Sequence, residues 1–226
     1  MLQILSSAVG DGWAKVVAIM NRIFLVLSLL IVIAAPPVFA DDGVGMDAIK
    51  LRLNQRRGSV QKLIFVAKGE QLPFPAIGGP DDPRSAGVTF EIFTAAGQQN
   101  SFTIRTGPYE GAYWRARDSK SPFYKYKNKL APAGQSFVHK FLLKKNKVIF
   151  VSRTHEIDLL PAQRAMVVRL TMGQKVLCSF FDQPIFDGII PGRDSDATSF
   201  FSKRGSAPSD CHDDTIEAML AAVPLD

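Results

Sequence analysis

The residues in this 226-residue chain whose types could do chemistry are three histidines, a few paired acids and two cysteines. Imidazole catalysis needs a nucleophile or metal partner at a set spacing. No G-x-S-x-G, H-E-x-x-H or Gly-rich phosphate loop accompanies His139, His155 or His212. His139 lies opposite Val138 in an apolar run and reads as a solvated or core-edge histidine. Glu91 and Asp118 would serve a glycosidase only with their carboxyls about 5 to 10 Å apart, and nothing in the sequence brings them together. Asp81-Asp82 and Asp194-x-Asp196 could offer oxygens to calcium, yet neither has EF-hand spacing, and turn formation by Asp side chains explains them better. Cys211-His212-Asp213-Asp214 crowds metal-ligand types into adjacent positions, which rarely converge on one ion. No catalytic residue, metal or cofactor is assigned, and a non-catalytic protein is expected.

Charge is the sharper signal. The chain carries 27 Lys and Arg against 21 Asp and Glu, a net +6. Residues 115–147 hold ten of those bases and one acid, Asp118, a local +9. All four tyrosines, together with Trp114, fall between positions 109 and 126. Cations interleaved with rings suit a polyanion or a sugar-bearing surface, with rings stacking and ammonium groups reading the polar edge. The candidate binding residues are Trp114, Arg115, Tyr124, Lys125, Tyr126 and Lys127. In a regular strand Tyr124 and Tyr126 face away from Lys125 and Lys127 and form the buried or groove-facing pair. The competing explanations are lysines that guard sheet edges against aggregation and an acidic tail, residues 182–226 with nine acids and three bases, laid over the basic strands.

The elements that must position these residues are strands. Ile49, Leu51 and Leu53 alternate with Lys50 and Arg52. The same period of two runs through Val88–Phe93, Phe102–Arg105 and Met166–Leu170. Leu63–Ala67, Phe137–Leu143, Val148–Val151 and Val176–Phe181 are denser apolar runs, expected to be buried on both faces. Lys145-Asn146 and Gly173-Gln174 read as tight hairpin turns, with Asn and Gly accepting positive φ. Gly78–Pro83 reads as a longer loop. The predicted fold is an all-β antiparallel sandwich of eight to ten strands, with barrel closure as the alternative. Residues 182–212 show no sustained period and read as an extended tail. A short C-terminal helix capped by Asp213 or Asp214 follows, with Ile216, Met219 and Leu220 on one side.

Residues 1–40 read as a signal peptide. Asn21-Arg22 precedes thirteen residues, Ile23–Ala35, in which Ser28 alone is polar, and Val38-Phe39-Ala40 supplies a cleavage site. As a helix those thirteen residues span about 20 Å, short of a roughly 30 Å hydrocarbon core. No membrane span is expected after cleavage, and Met20 is an alternative start. Residues 41–226 then form one domain, exported to the periplasm or beyond. A mean hydropathy of +0.07 excludes a disordered chain. In an oxidising compartment Cys178 and Cys211 form one disulfide, closing a loop of about 34 residues and contributing about 3 to 4 kcal/mol.

The order of an Asp81-Asp82-Pro83 loop, the Val88–Phe93 strand, Trp114, the Tyr124–Lys127 run, a Lys-rich hairpin and Cys178 resembles a family of exported bacterial β-sandwich domains. In that family a late cysteine follows an Ala-Pro-rich stretch, as Cys211 follows Ala207-Pro208. The resemblance spans most of residues 47–212 and implies architecture and export, but no activity. Some members carry a further cysteine pair near the hairpin around Asn146, which this chain lacks. The functional expectation is an exported module that binds anionic glycan or another anionic envelope surface, with nucleic acid not expected as a partner. A structural or protein-interaction module is the alternative, and a hydrolase ranks third.

Overall fold

The computed structural model describes residues 43–55, 61–69, 72–106, 112–128, 137–154, 157, 159, 162–185 and 199–224. The expected signal peptide, His155 and Asp194-x-Asp196 lie outside the described residues.

Two sheets face each other. The five-stranded sheet runs in the order β1 (Val44–Gly45), β11 (Lys175–Phe181), β10 (Met166–Met172), β4 (Val88–Thr94) and β5 (Gln99–Ile104). The seven-stranded sheet runs β12 (Ser199–Ser202), β2 (Ala48–Gln55), β3 (Gln61–Lys68), β9 (Lys147–Thr154), β8 (Phe137–Lys144), β7 (Phe123–Asn128) and β6 (Ala112–Arg117). Helix α1 (Pro83–Ala86) sits in the Asp81-Asp82-Pro83 loop, and α2 (Asp213–Ala221) is near the C-terminus. The fold is the expected all-β sandwich with a C-terminal helix. The described residues form twelve strands, more than expected, because β1 is only two residues long and Ser199–Ser202 does not alternate. Every pairing is antiparallel except that of β1 with β11.

Aromatic rings from both sheets interdigitate in the core. Phe90 on β4 stacks on Phe150 of β9 at 3.9 Å between centroids, and Phe65 meets Phe90 and Phe181 edge-on at 5.5 and 6.2 Å. Each fully buried ring stabilises the sandwich by roughly 1.5 to 3 kcal/mol. A smaller cluster, Ala165, Val167, Ile216 and Leu220, lies apart from this core, and through it α2 packs on β10.

Four local expectations need correction. Ile49 is 43% exposed, because a bulge between Ala48 and Lys50 breaks the alternation and passes the core position to Ala48. The apolar runs in β3, β8 and β9 are not doubly buried: Ile64, Val66, Leu142, Ile149 and Val151 are half-buried on the face turned away from the core. Asn146 does not adopt positive φ. Its turn is instead oriented by the amides of Gly69 and Leu72, which donate to the Asn146 and Lys145 carbonyls at 3.3 and 2.8 Å. Gly173, at φ 58°, does take the left-handed conformation. The N-cap of α2 is His212 and not an aspartate, which leaves Asp213 and Asp214 in the first turn where they oppose the positive end of the helix dipole.

Cys178 and Cys211 are bonded, with their Cα atoms 5.7 Å apart. The tail crosses β1 closely. A Cβ on Gly45 would fall 2.0 Å from the Pro208 carbonyl oxygen, so only glycine fits there. Beside α1, buried Asp82 accepts from the amides of Gly78 and Arg84 at 2.7 and 2.9 Å and pairs with the Arg84 guanidinium at 2.6 Å. Burial works against its charge, but the Arg84 guanidinium and the two amides outweigh that and pull its pKa from 3.8 to about 2. A carboxyl depressed in the folded state contributes stability above its unfolded pKa, and that contribution is lost as pH falls through the folded value.

Two outcomes follow for unfolding in urea. Asp82→Asn loses about 2 kcal/mol at neutral pH, and its difference from the natural protein closes between about pH 4 and pH 2. Replacing both cysteines by serine loses about 3 kcal/mol at either pH.

Candidate functional site

The register of the seven-stranded sheet lays out its outward face in rows. Lys68, Lys147, Lys144, Phe123 and Arg117 form one row across β3, β9, β8, β7 and β6. Lys50, Val66, Ile149, Leu142, Lys125 and Arg115 form the next, beginning on β2. Arg52, Ile64, Val151, Lys140, Lys127 and Tyr113 form the third. Asn54, Lys62, Arg153 and Phe137 form a shorter fourth. Of these 21 positions twelve are Lys or Arg, and none is Asp or Glu.

Like charges stand directly opposite one another in five register pairs: Arg115 with Lys125, Lys127 with Lys140, Lys62 with Arg153, Lys68 with Lys147, and Lys144 with Lys147. Such pairs destabilise a sheet. Guanidinium groups lie over several outward rings, Arg115 over Tyr113 and Arg117 over Phe123 at 5.1 Å each, and Arg153 over Phe137 at 6.0 Å. Those ring faces are therefore occupied by cations and closed to sugar stacking.

The structure divides the six sequence-predicted binding residues evenly. Arg115, Lys125 and Lys127 are together on the outward face. Trp114, Tyr124 and Tyr126 point inward. Tyr124 is 0% and Tyr126 7% exposed, and Trp114 packs on Tyr126 and Phe141 at 5.2 and 5.9 Å. Alternation separates them from the cations: Tyr124 and Tyr126 are buried, and Trp114, on the edge strand, is half-buried. Tyr124 donates to the Pro75 carbonyl at 3.3 Å, and its phenol is pushed up to about 12, chiefly by burial. Trp114 donates to the Arg105 carbonyl at 3.5 Å.

The remaining candidates are committed elsewhere. Asp81 accepts from the Gln174 amide at 2.8 Å and holds the β10–β11 turn, while Asp82 caps α1. Glu91 lies on the five-stranded sheet, bound to Arg169 at 2.7 Å and to Gln99 at 2.9 Å, whereas Asp118 follows β6 of the other sheet. Among the described residues no group of three His, Cys, Asp or Glu could hold a metal ion. A cleft of about 290 Å³ beside α2 is lined by Asp213 and Glu217, away from the basic rows. Among the described residues no helix is long and apolar enough to cross a membrane.

Sequence reasoning missed Lys50, Arg52, Lys62, Lys68 and Arg153 as parts of the face. The signal was present in the polar half of the alternation in β2, β3 and β9. What was hidden is that these strands are hydrogen-bonded neighbours of β8 and β7. The described part of the tail does not lie over the central basic strands: β12 adds to the β2 edge, and α2 packs on β10 of the five-stranded sheet. No protein-family model, curated protein or solved structure matches this chain.

The bulge between Val138 and Lys140 leaves His139 exposed at the rim of the face. Partial desolvation, then the cations Arg153, Lys127 and Lys62, hold its pKa below the ordinary 6.5. An NMR titration of His139 is expected to give a midpoint below 6.5 that rises when Arg153 is changed to Gln. A midpoint at or above 6.5 would contradict the charge distribution described for this face.

Proposed function

We propose that the protein is an exported, non-catalytic module that binds anionic surfaces through the outward face of its seven-stranded sheet. The carrying observation is the set of five like-charged cross-strand pairs with no acid among the rows. Folding alone gains nothing from this arrangement, and a cost to stability spread over five strands fits a surface used for binding. Edge protection explains Arg115 and Arg117 on β6 but not the lysines on the interior strands β7, β8, β9 and β3. The ligand is recognised by its phosphates, carboxylates or sulfates. Charge carries the binding in preference to ring stacking on sugars, because Tyr124 and Tyr126 are buried and Tyr113, Phe123 and Phe137 lie under guanidinium groups. The disulfide supports residence in an oxidising compartment outside the cytoplasm.

Heparin serves as a soluble polyanion probe. Its affinity is expected to fall steeply with salt, and to fall further in Lys125→Glu/Lys127→Glu. The same double variant places acids opposite Arg115 and Lys140 and should be equally or more stable, by about 0.2 to 1 kcal/mol per pair. Salt-independent retention, or retention unchanged by the double substitution, would sink the proposal.

A further inference from the structure

The cationic face is not uniformly polar. Ile64 and Val66 on β3, Ile149 and Val151 on β9, and Leu142 on β8 form a belt on three adjacent strands, half-buried and turned away from the core. Cations bracket it in register: Lys50 and Arg52 on one side, Lys125 and Lys140 on the other. The adjoining row adds Lys147 and Lys144. A soluble polyanion would make use of the charges alone and would gain nothing from apolar side chains set among them.

From this arrangement we infer that the occupant of the face is the surface of an anionic lipid bilayer. Such a surface offers a plane of phosphates with apolar material directly beneath, which matches a ring of cations around an apolar centre. The face is six strands wide, about 24 Å at the usual strand spacing, and can meet many headgroups at once. The long stems of Lys125, Lys127, Lys140 and Lys144 let their ammonium groups reach the phosphates while the belt enters the headgroup boundary. The inference rests on the reading of this face as the anion-binding surface and specifies its ligand. Adsorption involves no covalent step and no spanning segment.

The test is cosedimentation of the mature chain with vesicles of pure phosphatidylglycerol and of pure phosphatidylcholine, beside heparin retention. The protein is expected to bind phosphatidylglycerol and not phosphatidylcholine, and to stay partly on the vesicles at a salt concentration that releases it from heparin. Val66→Thr/Ile149→Thr/Val151→Thr keeps β-branching and charge but makes the belt polar. It is expected to weaken vesicle binding about tenfold and leave heparin retention unchanged. Unchanged vesicle binding in this triple variant overturns the lipid inference, as does heparin binding by the natural protein without phosphatidylglycerol binding. In both cases the anion-binding reading stands. Absence of binding to heparin and vesicles alike overturns both. If the triple variant does not fold, the salt comparison on the natural protein decides: simultaneous release from heparin and from vesicles counts against the belt.

Discussion

The structure depends on the ring layer that locks the two sheets together. Phe90 stacked on Phe150 at 3.9 Å fixes the position of β4 over β9, and Phe65 extends the contact to Phe181. A strand has a period of two, so an inward ring forces each of its neighbours outward. Leu51, Phe65, Phe150, Phe141, Tyr126 and Trp114 share one inward row of the seven-stranded sheet. Once that row is set, Lys125 and Lys127 are placed on the outward face with no further choice. A one-residue slip of β7 would put lysines into the core, which is why the charged face is specified as firmly as the core.

The two outward faces of the sandwich meet different fates. On the five-stranded sheet the outward side is partly closed. Arg169 pairs with both Glu91 and Asp213, Ile216 and Leu220 belong to one cluster with Val167, and the Cys178–Cys211 bond holds the tail in place. Arg169 is thereby paired with acids and Val167 is covered. On the seven-stranded sheet the described tail reaches only as far as β12 beside β2. Among the described residues, the outward rows of the seven-stranded sheet hold twelve Lys and Arg and no acid, whereas Glu91 and Asp213 meet Arg169 on the five-stranded sheet.

Much of this was legible in sequence because period-two alternation carries both partition and fold class. The inward Tyr124 and Tyr126, the outward Lys125 and Lys127, the disulfide and the helix side formed by Ile216 and Leu220 all follow from local pattern. Three things did not follow. Strand neighbours are a property of topology, so the contribution of Lys50, Arg52, Lys62 and Lys68 to the same face as Lys125 was invisible. Bulges at Ile49 and His139 shift the alternation by one residue, and no residue type announces them. A run such as Leu63–Ala67 has the same composition whether its second face is covered by protein or left as a belt among cations, and only the sheet's surroundings distinguish these.

The central claim is that one face of the sandwich, cationic and free of acids along its rows, is the working surface, and that Tyr124 and Tyr126 behind it are core. Lysine acylation footprinting with and without a bound anionic ligand, read alongside tyrosine nitration, tests this directly. The account predicts that the ligand protects Lys125, Lys127, Lys140 and Lys144 while Lys175 on the opposite sheet reacts at an unchanged rate, and that Tyr124 and Tyr126 resist nitration throughout. Equal protection of Lys175, or nitration of Tyr124 in the native protein, would contradict it.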